Sequence, residues 1–278
     1  MLRTRLLTVA VAFPAFLLAL FYLPLTYWSA LILLLMAVAA HEWARLFDFP
    51  SAAAISFALA TPMAAWLLCG GDWALQPSAV VTQSLCLIAA IFWISAAPVL
   101  LRKRIKIGGF TAPMVLAWLA LIPLWAALVK LREFGPLYVF FAMGIIWLAD
   151  TAAYFSGRAF GRRKLAPEIS PGKTLEGALG AIVVVAIYAV IFMSLGQYFG
   201  TMSLDGLPLM MLGFAVIAIL SIVGDLFESW LKRQCGKKDS GNLFPGHGGI
   251  LDRIDSLTST MPIVALALMC CRSNWGIL

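Results

Sequence analysis

Asp225, Glu228, Ser229 and Lys232 are spaced i, i+3, i+4 and i+7, so a helix through them carries all four on one face. That face runs into a polar stretch with Arg233, Lys237, Lys238 and Asp239, and then into Gly246-His247-Gly248-Gly249. Beyond the glycines come Asp252, Arg253 and Asp255, whose two aspartates, three apart, again share a helical face. Two helix ends thus offer paired acids to one loop. Hard divalent cations take carboxylate oxygens, and Mg²⁺ is typically held by one or two carboxylates plus phosphates and water. Acids set among lysines and arginines read as a metal–phosphate site; the competing reading is a set of salt bridges that neutralise one another. The glycine run makes a poor helix, lets backbone approach a ligand and presents N–H groups to anions. His247 is either a phosphate-binding or proton-handling group or a structural hydrogen-bonder of the turn.

A second basic loop, from Gly157 to Gly177, alternates Arg158, Arg162, Arg163, Lys164 and Lys173 with turn residues. Its Pro171-Gly172-Lys173-Thr174 looks like the end of a P-loop. The residue five before Gly172 is Pro167, however, where the motif needs glycine, and no strand is expected ahead of it. A nucleoside-triphosphatase loop is therefore excluded. Ser170, Lys173 and Thr174 remain, at the start of a helix whose N-terminus favours phosphate.

The elements that must position these residues are membrane spans. Of 278 residues, 63% are hydrophobic and 12% charged, against about 45–50% and about 25% in soluble domains. No stretch is left over for a separate water-soluble domain. A spanning helix needs about 20 mostly apolar residues, and nine candidates fit: 6–24, 26–44, 52–69, 77–101, 110–129, 136–156, 176–199, 207–231 and 254–271. The expected fold is an all-α polytopic helical membrane protein. About five helices fall in residues 1–135 and about four in a catalytic region, 136–278, with polar loops 157–175 and 232–253. Pro62 and Pro262 make the third and ninth spans the weakest. The N-terminal apolar run is read as an uncleaved first span rather than a secretory signal.

Nine spans put every lysine and arginine on one side except Lys130, Arg132 and Arg272. By the excess of such residues in cytoplasmic loops, that side and the N-terminus face the cytoplasm. The net charge of +7 suits an anionic lipid or phosphorylated substrate, while the Arg102–Lys106 cluster is read as setting topology. The five cysteines show no metal spacing. In the first half, His41 and Glu42 near the end of span two are read as interfacial in preference to supports of a site. Asp150, Asp225 and Glu228 lie near the inner ends of spans six and eight. Because a charge at mid-membrane costs about 2.5–3.5 kcal/mol, such acids are functional candidates by default, although Asp150 alone is equally well an interfacial, solvated group.

The run Ser229-Trp-Leu-Lys232-Arg233, continued by Lys238-Asp239-Ser-Gly241 and by Leu243-Phe-Pro-Gly246-His247-Gly-Gly249-Ile-Leu-Asp252-Arg253-Ile-Asp255, resembles the signature of the phosphatidate cytidylyltransferases, or CDP-diacylglycerol synthases. Ile169-Ser-Pro-Gly-Lys-Thr174 and Ala149-Asp-Thr-Ala-Ala-Tyr154 are similar to the family too, so the likeness covers roughly residues 140–260 strongly. It implies a transfer of the cytidylyl group from CTP to phosphatidate with Mg²⁺, giving CDP-diacylglycerol and pyrophosphate. Asp225, Asp252 and Asp255 would hold the metal. Asp225, Asp252, Lys232, Lys238, Arg253 and His247 would carry catalysis. Ser170, Lys173, Thr174, Arg233, Asp239, Gly246, Gly248, Gly249 and Asp150 would bind substrate. The partners implied are CTP and the membrane lipid phosphatidate, without nucleic acid; a homodimer is allowed for. The place implied is a bacterial inner membrane, with the site facing the cytoplasm. The rivals are a secondary transporter of a phosphorylated solute, for which no repeated half is visible, and a CTP-dependent kinase of a lipid alcohol.

Overall fold

The computed structural model describes residues 2–199, 203–241, 243 and 248–275. Helices α1 (Leu2–Tyr22), α2 (Leu25–Leu46) and α3 (Ser51–Leu68) come first. A fourth segment, Ala79–Lys103, runs as α4 (Ala79–Ile91), a π-helical turn (Phe92–Ala96) and α5 (Ala97–Lys103). Then follow α6 (Thr111–Phe134), α7 (Pro136–Phe160), α8 (Leu175–Tyr198), α9 (Leu207–Gln234) and α10 (Leu251–Trp275). Each expected span corresponds to one of these nine segments. Among the described residues, all but α1 are long and apolar enough to cross a bilayer, and α1 contributes the shorter apolar stretch Thr8–Tyr22.

Local chemistry sets the breaks. Gly135, at φ +143°, separates α6 from α7, and Pro136 opens α7 where its missing N–H costs nothing. Ser78 caps α4 by accepting the Val81 N–H at 3.3 Å. Pro62 and Pro262 sit inside α3 and α10 without ending them, as happens in spanning helices whose neighbours satisfy the freed carbonyls.

Helix α6 is the centre. Leu121, Leu124, Trp125, Ala126 and Ala127 are fully buried, with α2, α4 and α10 packed around them. Two polar side chains of this interior are paired: the Trp125 indole donates to Ser29 Oγ at 2.9 Å, and the Ser29 hydroxyl donates to the Leu75 carbonyl at 2.6 Å. Helices α7, α8 and α9 form a second layer that meets the first through α10. The two halves divided at Gly135 therefore interleave in space. On the outside, α8 shows Leu179, Val183, Ile187, Ile191 and Leu195 at four-residue spacing, all exposed. Apolar surface on that scale is foreign to soluble monomers. This is an integral membrane protein.

One segment departs from the all-helical expectation. β1 (Lys164–Ala166) and β2 (Ser170–Thr174) form an antiparallel hairpin with Lys164 opposite Thr174, in the loop where no strand was expected. Strands this short leave no alternation to read. The hairpin is instead held by its surroundings: Arg233 Nε donates to the Ile169 carbonyl at 3.3 Å, Arg104 pairs with Glu168, and Glu176 accepts the Arg162 N–H at 3.0 Å.

Helices α9 and α10 approach closely at Gly224. A Cβ there would lie 2.7 Å from the Asp255 carbonyl and would crowd the Ser259 hydroxyl, which donates to the Leu220 carbonyl at 2.8 Å. Small residues and interhelical hydroxyls are the usual glue between spanning helices. Gly224→Ala is expected to lower stability by about 1–3 kcal/mol. Gly213→Ala, where nothing lies within 4 Å, should leave it unchanged. Thermal unfolding of the two variants in detergent checks the contrast.

Candidate active site

The C-terminal ends of α7 and α9, the N-terminal ends of α8 and α10, and the hairpin enclose a cavity of roughly 650 Å³. Asp150, Lys173, Asp225, Lys232, Asp252 and Asp255 line it. The alternation inferred from basic residues thus brings the chemistry-bearing ends together, and the C-terminal ends of α2 and α5 lie at the same end of the molecule.

Three carboxylates face the cavity with part of their valence used. Asp225 Oδ2 pairs with the Lys173 ammonium at 2.6 Å and Oδ1 accepts from Ser229 at 3.3 Å. Asp150 Oδ1 accepts from Ser221 at 3.3 Å, and Asp255 Oδ1 accepts the Ser256 N–H at 2.7 Å. Asp252 differs. Its Oδ1 takes Lys232 Nζ at 2.5 Å, while its Oδ2 takes the Ser240 N–H and hydroxyl, each at 3.0 Å, and the Gly249 N–H at 2.8 Å. Four protein donors reach Asp252, three of them on Oδ2, so as placed it organises the loop and Lys232. Lys232, 9% exposed, also donates to Glu228 Oε2 at 2.9 Å.

The remaining expected residues divide. Ser170, Asp239 and Arg253 line the same cavity. Thr174 lines it too, but its hydroxyl caps α8 by accepting the Gly177 N–H at 3.1 Å. Arg233 donates its Nε–H to the hairpin, and neither it nor the exposed Lys238 is among the residues described as lining the cavity. Gly248, at φ +81°, packs against the Asp252 carboxylate in a backbone conformation that favours glycine. Gly246 and His247 lie outside the described residues.

Residues 3–271 match the family described as the Cytidylyltransferase family. The chain is similar to a protein of Pseudomonas aeruginosa named phosphatidate cytidylyltransferase, 38% identical over 282 residues and covering 99% of each chain. A Haemophilus influenzae protein of the same name is 37% identical, with 94% of this chain and 96% of that one covered. One from Bacillus subtilis is 44% identical over half of each chain. The chain belongs to the cytidylyltransferase family. It is accordingly a nucleotidyltransferase.

One residue of this cytidylyltransferase has a structural part that the preferred reading of its sequence does not give it. Glu42, read as interfacial, is buried in α2 and accepts the Ile250 N–H at 3.1 Å and the Leu251 N–H at 3.0 Å. Nothing near Glu42 in the chain signals this; the one hint is a carboxylate among Ala39, Ala40, Trp43 and Ala44, in an otherwise apolar stripe. Nearby, Lys237 Nζ donates to the Arg45 carbonyl at 2.7 Å, to the Leu46 carbonyl at 2.9 Å and to Asp48 at 2.7 Å. The Lys237 ammonium holds the Asp48 carboxyl below its ordinary range. A depressed carboxyl favours the fold above its unfolded pKa, so this clasp is intact at neutral pH and loosens only in acid.

The buried Lys232 carries the sharpest energetic expectation. Lys232→Met leaves Glu228 and Asp252 facing each other without a counter-charge, and breaking a buried pair costs about 3–5 kcal/mol. Adding Glu228→Gln should restore part of that loss. Denaturation of both variants in detergent measures it.

Proposed function

We infer that this chain transfers the cytidylyl group of CTP to phosphatidate, giving CDP-diacylglycerol and pyrophosphate. The observation that carries the reading is the cavity where Lys173, Lys232 and Arg253 meet Asp150, Asp225 and Asp255, in a chain similar along almost its whole length to proteins named phosphatidate cytidylyltransferase.

In the reaction a phosphate oxygen of phosphatidate attacks the α-phosphorus of CTP. A new P–O bond forms as the bond to the oxygen bridging to the β-phosphorus breaks, and pyrophosphate departs. The lipid phosphate is already ionised near neutral pH, so no strong base is needed. The difficulty is that both reactants are polyanions. Each pair of unit charges at 4 Å repels by about 1 kcal/mol in water and about 4 at an effective dielectric near 20. Lys173, Lys232 and Arg253 offset that charge where the phosphates must meet.

Acidic side chains still outnumber the basic ones along the cavity wall, a balance that a divalent cation would redress. Among the described residues no three acids, histidines or cysteines form a ready cage. Mg²⁺ takes one or two carboxylates and completes its shell with water and substrate phosphates. Asp225, with Asp150 or Asp255, would supply the hard oxygens. When bound, the ion would add positive charge against the phosphates and the leaving pyrophosphate.

The same ends of the helices carry nearly all lysines and arginines, which supports a cytoplasmic site, where CTP is found, and the bacterial relatives support a bacterial plasma membrane. One chain supplies the described lining, so this reading holds for a monomer or a homodimer.

The test is purified protein in detergent with CTP, phosphatidate and Mg²⁺. CDP-lipid with pyrophosphate is expected. CDP with a phosphorylated lipid would indicate a kinase, and solute flux without turnover a transporter. Asp225→Asn should lower kcat by a factor on the order of 10²–10³, and EDTA should abolish turnover until Mg²⁺ is restored. A folded Asp225→Asn variant at full activity would sink the metal assignment.

A further inference from the structure

We propose that Glu42 is a positioning residue for the transfer, holding Asp252, and through it Lys232, from a helix that does not touch the cavity. The proposal rests on the reading that Asp252 and Lys232 belong to the working site.

The first amides of a helix have no acceptor within it. In α10 the amides of Ile250 and Leu251 find theirs in Glu42, more than 200 residues away in the chain. The carboxylate, 7% exposed, thus serves as a cap delivered from another helix. Its second connection runs to the loop. The Ser240 hydroxyl stands 3.3 Å from Glu42 Oε2 and 3.0 Å from Asp252 Oδ2, its single proton serving one or the other. Asp252 then fixes Lys232 at 2.5 Å. A continuous path of polar contacts therefore runs from α2 to the cavity ammonium.

The backbone is drawn tightly onto this carboxylate. A Cβ on Gly241 would lie 2.6 Å from Glu42 Oε1, and one on Gly249 would overlap both Glu42 and Ser240. Lys237 makes the reverse connection, from the loop to the last carbonyls of α2. The end of α2 accordingly grips the loop twice: once with its carboxylate and once with its carbonyls.

This arrangement has a consequence for phosphate. The N-terminus of α10 adjoins a cavity for polyanions, and a free helix N-terminus is an anion site. Here Glu42 takes the first helical amide, that of Leu251, and the Ile250 amide just before it. Phosphate is left to the side chains of Lys173, Lys232 and Arg253, whose placement depends on the anchored loop and helix.

The experiment measures kcat and KM for CTP and phosphatidate in full-length Glu42→Gln, Ser240→Ala, the double variant and Asp252→Ala, with folding followed by thermal unfolding and gel filtration. Glu42→Gln is expected to lower kcat by about 10- to 100-fold, in line with the cost of a displacement near 1 Å, with both KM values within about threefold, the pattern of an interaction that matters in the transition state. Ser240→Ala should show a smaller fall of the same kind. The double variant should lose no more than Glu42→Gln alone, because the two act through one path. A folded Glu42→Gln enzyme at wild-type kcat overturns the proposal, as does a loss confined to KM, or single losses that simply multiply. If Glu42→Gln does not fold, Ser240→Ala decides: it removes only the bridge, and wild-type kcat there overturns the proposal. Asp252→Ala separates the two levels. An active Asp252→Ala sinks the reading of the cavity and the proposal with it. An inactive one beside a normal Glu42→Gln sinks the proposal alone.

Discussion

A single buried ammonium ties the working end of this protein together. Lys232 sits where α9 and α10 converge, with Glu228 on its own helix and Asp252 on the other. In a medium of low dielectric, charges survive only when paired and hydrogen-bonded. Lys232 therefore depends on Glu228 and on α10 presenting Asp252. Asp252 is in turn held by the Ser240 N–H and hydroxyl and by the Gly249 N–H. Gly248, Gly249 and the hydroxyl of Ser240 all lie against the Asp252 carboxylate that compensates this charge.

Much of this was legible in the chain because bilayers impose simple lengths. Apolar runs marked nine helices, and the distribution of lysine and arginine marked which ends belong together. The i, i+3, i+4, i+7 spacing from Asp225 to Lys232 placed those side chains on one face, and the pairs Lys232–Glu228 and Ser229–Asp225 bear it out. What the spacing could not disclose was how each acid spends its oxygens. Asp252 and Asp225 look alike in sequence, yet one takes four protein donors and the other two, from Lys173 and Ser229.

The unreadable parts share a cause. Glu42 meets α10 across almost the whole chain, so no local pattern encodes the contact. The hairpin of Lys164–Ala166 and Ser170–Thr174 is too short for alternation and is shaped by Arg233, Arg104 and Glu176 from outside it. Lys238 and Arg233 share a basic run with Lys232, but charge alone does not reveal that one points to solvent and another holds a backbone carbonyl. In each case tertiary contact, not local preference, decides.

Tyr154 belongs both to the cavity wall and to the outer surface, where it is 60% exposed beside Phe155. The rim of the site thus runs out onto the face of α7 that lipid would cover. A substrate arriving by that rim never enters bulk water. What governs its encounter is its mole fraction among neighbouring lipids, a two-dimensional quantity, whereas the nucleotide arrives by three-dimensional diffusion. Diluting the membrane with inert lipid or detergent would therefore starve one substrate while leaving the supply of the other untouched.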